Sequence, residues 1–324
     1  MRDEAENARD RAVKVVAGLL IAGGVFLAAL TAAGFGSGWW RLFELACHFR
    51  VQYFFGLAVI APALALCKRH RFAAGAGAFA ALNLIDLVPL YVPARPAAER
   101  TPQTLRVMAL NVRTSNPHHD RVRAVIRAED PDIVLLMETD ERWIAALDEL
   151  RATYPHRITK PRRDNFGIAL FSKLPFERAE SVEFGDAGVP SVVAVLSAGG
   201  AAFTLIGTHP LPPSSSWGSE RRNRQFAAVA EYVWTADTPV LLLGDLNVTR
   251  FSAHFGRLLR DSGLCDSSRG RGFQPTWPAH RPLFSIPIDH ALHSDEIRVV
   301  DRRVGPAVGS DHYPLIVDVN PPFR

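Results

Sequence analysis

The segment PVLLLGDLN at residues 239–247 joins an uninterrupted aliphatic run to a polar turn. Four aliphatic residues in succession, between a proline and a glycine, predict a β-strand, and the similar run at residues 132–139 predicts a strand that is buried on both faces of a sheet. Asp245 and Asn247 stand directly at the end of this strand. Because side chains at strand ends meet at one edge of a sheet, the segment predicts a buried sheet with a polar site at its edge.

The same arrangement recurs through the C-terminal two thirds of the chain. Further strands are predicted at residues 105–112, 132–139, 166–172, 191–197, 202–209, 288–294 and 313–319, and helices at residues 121–128 and 219–234. Strands that alternate with helices predict an α/β domain. Polar residues again stand within or just after the apolar runs, at Asn111, Glu138, His209, Asp289, Asp311 and His312.

Taken singly, these polar residues carry little information, because a lone histidine after a strand is more often a hydrogen-bonding residue than a catalyst. Together they supply oxygen ligands for a hard divalent ion, a base for water, and hydrogen-bond donors for an anionic transition state. Metal-assisted acid–base hydrolysis of a phosphoester uses this combination of groups.

The first hundred residues are far more apolar than the rest of the chain. Long apolar runs predict three transmembrane helices at about residues 15–35, 51–67 and 72–92, since a helix needs about 20 apolar residues to cross a bilayer. A cleaved signal peptide is the alternative for the first run. The remaining segments are a cytoplasmic N-terminus at residues 1–14, a linker (PARPAAERTPQT) at residues 93–104, and a catalytic domain at residues 105–324.

Basic residues predict the orientation of these helices, because short loops rich in lysine and arginine stay in the cytoplasm. Such residues precede the first helix and fill the loop between the second and third, namely Arg2, Arg9, Arg11, Lys14, Lys68, Arg69 and Arg71. The catalytic domain is therefore expected outside the cytoplasm, on a protein of the plasma (inner) membrane. Asp86 lies within the third predicted helix, where a carboxylate marks a functional site or reaches interfacial water.

Charge argues against an extended nucleic-acid surface. The net charge of +4 comes from residues 1–100, while residues 101–324 hold 26 basic and 26 acidic residues. Proteins that neutralise many phosphates usually carry a basic surplus. Nucleic acid remains a less favoured partner, through a local patch at Arg221, Arg222 and Arg224. Of the three cysteines only Cys265 lies in this part, which excludes an internal disulfide there.

Six short motifs in one order carry a family resemblance, namely LNV at residues 110–112, LLMET at 135–139, GTHPLPP at 207–213, GDLN at 244–247, IDH at 288–290 and GSDHYP at 309–314. With them the chain resembles the endonuclease/exonuclease/phosphatase (DNase I-like) superfamily over residues 105–320. The resemblance implies a four-layer sandwich of two mixed β-sheets flanked by helices, here preceded by three transmembrane helices. It says little about the substrate.

Roles for the metal and the base follow from the resemblance, residue by residue. Glu138 matches the principal Mg²⁺ ligand, with Asn111 beside it and Asp311 supporting the ion or its water. Mn²⁺ is the alternative ion. His312 matches the histidine that pairs with an acidic residue, here Asp289, which fixes the imidazole tautomer and raises its basicity.

The remaining roles concern water and the phosphoryl group. Asp245 and Asn247 would orient and deprotonate the attacking water and hydrogen-bond the phosphoryl oxygens, and the division of the base role between Asp245 and His312 is left open. His209 would stabilise phosphoryl charge or protonate the leaving oxygen. Three further residues are expected to contact an anionic substrate, or else to act as turn, capping or surface residues, namely Arg163, Asn165 and Arg222.

The three predicted spans, a catalytic domain expected outside the cytoplasm and GTHPLPP resemble a membrane-anchored bacterial branch that includes teicoplanin-resistance proteins, for which undecaprenyl-pyrophosphate phosphatase activity is implied. We therefore expect a membrane-embedded, divalent-metal-dependent phosphoester hydrolase that acts on a lipid phosphate or pyrophosphate. The alternatives are a nuclease, a sphingomyelinase-like phosphodiesterase and a non-catalytic membrane scaffold. The scaffold is disfavoured because none of the expected site residues is missing.

Overall fold

A computed structural model describes residues 2–322 of the chain. Met1, in the predicted cytoplasmic N-terminus, and Phe323 and Arg324, in the predicted catalytic domain, lie outside the described residues. The chain divides into two compact units. The N-terminal unit consists of Met1–Pro89 with Phe251–Ala253, and the C-terminal unit of Leu90–Arg250 with His254–Arg324.

Four helices cover the N-terminal part of the chain, namely α1 (Arg2–Phe35), α2 (Arg41–Cys47), α3 (Arg50–Leu66) and α4 (His70–Tyr91). α1 from Asp3 onward and α4 are each long and apolar enough to cross a membrane. α2 and α3 meet at a bend of 63° and add a third span if the pair counts as one. Two of the three predicted spans therefore coincide with single helices of sufficient length, and the third needs α2 together with α3, because α3 alone has 17 residues, about 26 Å of helix.

A buried arginine joins three of these helices. Arg50, 1% exposed, lies with its Nε atom 3.3 Å from a carboxylate oxygen of Asp86. Its Nη1 atom donates to the Thr31 carbonyl at 3.1 Å and to the side chain of Asn83 at 3.3 Å. The Asn83 amide in turn donates to the Thr31 hydroxyl. Asp86 therefore has a structural partner, since it balances a charge that burial would otherwise make costly.

The C-terminal unit contains two six-stranded mixed sheets. In chain order the strands are β1 (Leu105–Asn111), β2 (Ile133–Met137), β3 (His156–Lys160), β4 (Ile168–Ser172), β5 (Phe176–Val182), β6 (Ser191–Ala198), β7 (Ala201–Gly207), β8 (Val240–Asp245), β9 (Cys265–Asp266), β10 (Asp289–His293), β11 (Arg298–Val304) and β12 (Leu315–Asn320). The first sheet has the order β11-β12-β1-β2-β4-β3 and the second β5-β6-β7-β8-β10-β9. Only β1 with β2 and β7 with β8 run parallel among the described pairs.

Alternate residues of each central strand face opposite sides, which builds three apolar layers. Val107 and Ala109 of β1 pack between the sheets with Leu241 and Leu243 of β8. The intervening residues face the helices on the outside. These helices are α5 (His119–Glu129) and α6 (Glu141–Ala146) on the first sheet, and α7 (Ser216–Thr235) and α8 (Ala253–Ser262) on the second. The expected α/β architecture of two mixed sheets flanked by helices is present.

The strands that sequence patterning did not predict are the four sheet edges, β3, β5, β9 and β11. Edge strands carry charged residues that discourage pairing with other chains, so their apolar pattern is weak. β5 reads FERAESV and β11 reads RVVDRRV, and most of their side chains are half-buried or exposed. The eight strands that were predicted are the inner ones.

The predicted linker at residues 93–104 has no helix or strand, as its composition indicates, but it is bonded along the edge of the first sheet. Ala98 donates its backbone N–H to the carbonyl of Val299 in β11 at 3.2 Å. The Thr104 hydroxyl donates to the side chain of Asn320 in β12 at 2.6 Å. This segment is therefore a fixed part of the C-terminal unit and not a flexible tether.

Candidate active site

Strand register brings the polar residues to one end of the two sheets. In the parallel pair β1 and β2, Asn111 lies opposite Met137, so Glu138 follows directly beside the end of β1. In the antiparallel pair β8 and β10, Asp245 lies opposite Asp289. Each carboxylate therefore owes its position to the pairing of its strand with a buried neighbour.

The two histidines reach the same end by different routes. Gly207 of β7 lies opposite Leu243 of the parallel strand β8, so His209 comes level with Asp245 two residues later. His312 stands in the turn before β12, whose Leu315 pairs with Ala109 of β1.

Asp245 is the centre of the cluster. Its Oδ2 atom accepts a hydrogen bond from the amide of Asn111 at 3.2 Å and lies 3.4 Å from Nε2 of His209 and 3.5 Å from Nε2 of His312. Its Oδ1 atom accepts from the backbone N–H of Asn247 at 3.0 Å. Burial favours the neutral acid, but the neighbouring charges of His312 and His209 outweigh it and lower the pKa of Asp245 to about 2.

His312 forms a second contact through the other side of its ring. Nδ1 lies 2.9 Å from Oδ2 of Asp289, a buried carboxylate. Burial lowers the pKa of His312, but the charges of Asp289 and Asp245 prevail and raise it to about 9. The ring therefore spans two carboxylates, which fixes Nδ1 as the nitrogen that donates to Asp289.

Glu138 adopts a left-handed backbone conformation with φ of 60°, which is uncommon for a residue other than glycine. Thr114 supports it twice, donating its hydroxyl to the Glu138 carbonyl at 2.8 Å and its N–H to the carboxylate at 3.3 Å. The Asn111 amide donates to the other carboxylate oxygen at 2.9 Å. Strain of about 1–3 kcal/mol per residue of this kind persists where the surroundings enforce it, typically at functional sites.

The glycine of the GDLN motif is required by close packing. Gly244 has φ of 155°, and a Cβ atom there would lie 1.8 Å from the carbonyl oxygen of Thr208. Any side chain at residue 244 would push β8 away from the end of β7. The glycine thus sets the distance between Asp245 and His209.

Two buried side chains hold the turn that follows β8. Arg222, fully buried on α7, donates to the backbone carbonyl of Asn247 at 3.3 Å. His290 lies with Nε2 2.8 Å from the carbonyl of Val248. Arg222 is therefore buried and supports the turn, which fits the structural alternative expected for it, and its contact with substrate stays a prediction. Asn247 itself donates its amide to the carbonyl of Pro210 at 3.0 Å, which ties this turn to the His209 loop.

Asp311 borders the cluster and contacts a tryptophan side chain. One of its carboxylate oxygens accepts a hydrogen bond from the indole N–H of Trp277 at 3.2 Å, and the ring of Trp277 lies 6.4 Å from that of His312. Its role toward a metal ion stays a prediction.

Arg163 and Asn165 are both exposed, so the structure does not join them to the buried cluster. Their neighbour Phe166, which the sequence did not single out, does reach it, with its ring 5.4 Å from that of His209. The 163–166 segment therefore borders the histidine through an aromatic side chain, and the two polar residues stay predicted substrate contacts only.

Three further supporting residues were missed. The Ser310 hydroxyl donates to the Asn111 carbonyl at 2.7 Å and accepts from the N–H of His312. The Thr276 hydroxyl accepts from the N–H of Asp289 at 3.2 Å. Arg302, 2% exposed, donates to the Asp289 carbonyl at 3.3 Å. Ser310 lies inside the GSDHYP motif and could have been found, whereas Arg302 sits on a charged edge strand that gives no such signal.

The donor set fits a hard divalent cation. Asp245, Asp289 and His312 offer ligand atoms that lie within 4.8 Å of one another, and the Asn111 amide links Asp245 to Glu138. Within residues 2–322, no lysine or arginine lies within 4.0 Å of the carboxylates of Glu138, Asp245 or Asp289. Several carboxylates that meet without a lysine or arginine suit an ion such as Mg²⁺ or Mn²⁺.

The fold and the cluster together define an α/β sandwich whose strand ends carry a carboxylate and histidine centre. Residues 108–312 match the model of the Endonuclease/Exonuclease/phosphatase family. The chain belongs to this family. No curated protein gives a significant match.

Solved structures of similar fold cover about two thirds of the chain. A humanized D. rerio TDP2 is 17% identical with a TM-score of 0.56, and covers 67% of this chain and 99% of its own. Sphingomyelinase C from Streptomyces griseocarneus is 23% identical with a TM-score of 0.52, with the same coverage. The human Nocturnin catalytic domain is 18% identical with a TM-score of 0.56, covering 68% and 96%. At these identities the likeness shows the fold alone.

Proposed function

We propose that this protein is a membrane-anchored, divalent-metal-dependent phosphoester hydrolase whose substrate is a lipid phosphate or pyrophosphate. The observation that carries the hydrolase is the line of contacts from Asp289 through His312 to Asp245, adjoining the Asn111 and Glu138 pair. This line of contacts supports the proposal, in which His312 is the base, Asp289 is its orienting carboxylate and Glu138 is an oxygen ligand for the ion.

The base role falls to His312 in this proposal. Asp245 is the weaker base of the two, because the charges of His312 and His209 lower its pKa, while those of Asp289 and Asp245 raise the pKa of His312. The neutral form of His312 is the stronger base, because Asp289 stabilises the imidazolium that forms. Asp245 then remains ionised and orients the attacking water, with the N–H of Asn247 holding its second oxygen. Pairs of groups whose pKa values are pushed apart divide the chemistry in this way.

His209 serves the phosphoryl group. Its Nε2 faces Asp245 at 3.4 Å, and its Nδ1 is buried and, among the described residues, has no hydrogen-bond partner. An imidazole N–H of His209, beside Asp245, can donate a hydrogen bond to a phosphoryl oxygen or to the leaving oxygen. Glu138 and Asn111 would hold the divalent ion, with Asp311 beside them. When bound there, the ion supplies positive charge for the phosphoryl oxygens and lowers the pKa of water.

A lipid substrate is supported by the membrane segments and by charge. α1 and α4 are long and apolar enough to span a membrane, which would keep the C-terminal unit close to a bilayer surface. The predicted basic patch at Arg221, Arg222 and Arg224, which a nuclease would need for nucleic acid, offers little free positive charge in the folded protein. Arg222 is buried, while Arg221 and Arg224 both pair with Asp186.

The experiment is phosphate release from farnesyl or undecaprenyl pyrophosphate by the full-length protein in detergent with Mg²⁺, beside nicking of duplex DNA. Wild-type protein should hydrolyse the lipid and spare DNA, and His312→Ala should abolish release. His156→Ala, which changes a half-buried histidine on edge strand β3, is the matched control and should retain activity. Nicking of DNA without hydrolysis of the lipid would show that the protein is a nuclease and would contradict the proposed lipid phosphatase function.

The orientation is proposed from the basic loops, with the C-terminal unit outside the cytoplasm at the plasma membrane. A pair of reporters fused after Arg324, one active only outside the cytoplasm and one active only inside, tests it. Activity of the inside reporter would reverse the topology and place the substrate on the cytoplasmic face.

A further inference from the structure

A cavity of about 360 Å³ opens in the C-terminal unit away from the catalytic cluster, with which it shares no lining residue. Its walls are the linker at residues 93–97, the loop at residues 267–271 and the strand ends around β9, β10 and β11. A volume of this size suits a ligand as large as a lipid headgroup.

Arginines dominate the charge of this cavity. Four line it, namely Arg95, Arg269, Arg271 and Arg298, against the single carboxylate of Asp295. Arg95 pairs with Asp295, and Arg271 lies 3.6 Å from Asp301. In the described part of the chain, neither Arg269 nor Arg298 has a carboxylate within 4.0 Å. Two guanidinium groups without a carboxylate partner therefore border one cavity, and guanidinium is the side-chain group best matched to phosphate.

The cavity lies at the end of a predicted span. Pro93 follows the last residue of α4, Tyr91, by two residues, and the N–H of Gly272 donates to the carbonyl of Leu90 in the last turn of α4 at 2.7 Å. Pro93 is packed so tightly on the loop that a Cβ atom at Gly270 would come within 2.5 Å of it. If α4 spans a bilayer, as the proposed function holds, Pro93 and the part of the cavity wall that it forms follow directly after the span in the chain.

We propose that this cavity binds the phosphate of an anionic phospholipid headgroup, separately from the catalytic site. The unpaired Arg269 and Arg298 contact the phosphate, and the prolines and alanines of the linker, Pro93, Ala94, Pro96 and Ala97, contact the apolar part of the lipid. Basic pockets beside membrane helices bind anionic headgroups in this manner. A bound lipid would fix the C-terminal unit against the membrane surface.

The test measures lipid binding to the full-length protein by native mass spectrometry, with dihexanoylphosphatidylglycerol or dihexanoylphosphatidylcholine titrated in non-ionic detergent. EDTA is present, so no turnover occurs and the result is independent of the proposed hydrolase. Wild-type protein should bind the phosphatidylglycerol more tightly than the phosphatidylcholine. Arg269→Gln with Arg298→Gln should weaken phosphatidylglycerol binding by at least about fivefold, the effect of about one basic residue at a membrane surface.

Two control variants separate the site from bulk charge and from folding. Arg257→Gln with Arg260→Gln removes the same charge from the exposed face of α8 and should bind like wild type. Arg269→Lys with Arg298→Lys should retain most of the binding. Unchanged binding in the double glutamine variant, or equal affinity for the two lipids, would overturn the proposal. Displacement of the lipid by inorganic phosphate at equal affinity would overturn the lipid assignment in favour of a soluble phosphate.

Discussion

The Nε2 atom of His312 lies 3.5 Å from Oδ2 of Asp245, while Nδ1 of the same ring lies 2.9 Å from Oδ2 of Asp289. One imidazole thus connects a carboxylate at the end of β8 with another at the start of β10. The hydrogen bond to Asp289 fixes which ring nitrogen is free to exchange a proton at the reaction centre.

Replacement of Asp289 by asparagine tests this relationship. Asp289→Asn removes the charge that stabilises the imidazolium, so the pKa of His312 should fall and phosphoester turnover should drop by about 100-fold or more. Asp318→Asn, a change at a buried carboxylate paired with Arg106 in the first sheet, is the control and should lower stability while leaving kcat unchanged. Equal loss of activity in both variants would mean that the effect of Asp289 is only structural.

Magnesium affinity should depend on pH through His312. Its folded pKa of about 9 lies above the ordinary value of 6.5, so the favourable charge contacts are complete below pH 6.5 and are lost as pH rises through 9. The positive charge of the protonated ring opposes the binding of a divalent ion at the neighbouring pair of Glu138 and Asn111. Calorimetric titration of Mg²⁺ should therefore show affinity that rises between pH 6.5 and 9.

The rise of Mg²⁺ affinity with pH should disappear in His312→Gln, because glutamine keeps a hydrogen-bonding side chain but cannot carry the positive charge. A wild-type affinity that is flat over this range would show that the charge of His312 does not oppose binding of the ion.

Arg222 is expected to act by positioning. Arg222→Met removes the donor to the Asn247 carbonyl and should cost about 2 kcal/mol of unfolding free energy. It should lower kcat about tenfold or more with little change in KM, because the turn that holds Asn247 shifts. Arg224→Gln, on the exposed side of α7, should leave both constants unchanged. An increase in KM alone would instead support a contact of Arg222 with substrate.

The pair formed by Arg50 and Asp86 should stabilise the N-terminal unit without affecting the chemistry. Asp86→Asn leaves the buried guanidinium without its countercharge and should cost about 3 kcal/mol, measured as a lower Tm in detergent. Arg50→Met with Asp86→Leu should recover much of that loss. Full stability with reduced turnover in Asp86→Asn would instead assign Asp86 to function.

Sequence patterning predicted the inner strands because burial on both faces leaves a continuous aliphatic signal, as in residues 240–243. It missed β5 and β11 because exposed edges select charged residues that resemble loops. The carboxylates and histidines of the cluster were found because their motifs stand at strand ends.

Contacts that depend on three-dimensional packing could not be read in the same way. An arginine near the start of a polar helix indicates solvent exposure, so the burial of Arg222 was not predictable. Likewise, an uncharged run at residues 51–67 cannot reveal that α3 is preceded by α2 at a bend of 63°. Arg50 and Asp86, which form an ion pair, lie far apart in the sequence. The sequence pattern does not indicate that their two helices pack together.

The most direct test of metal-dependent hydrolysis is to follow Mg²⁺ binding by calorimetry and phosphate release from a lipid pyrophosphate in one preparation of full-length protein. Wild-type protein should bind the ion and release phosphate, and EDTA should stop the release. Glu138→Gln should lose both while retaining the wild-type Tm to within a few degrees. Phosphate release that persists at the wild-type rate in Glu138→Gln or in EDTA would contradict the account.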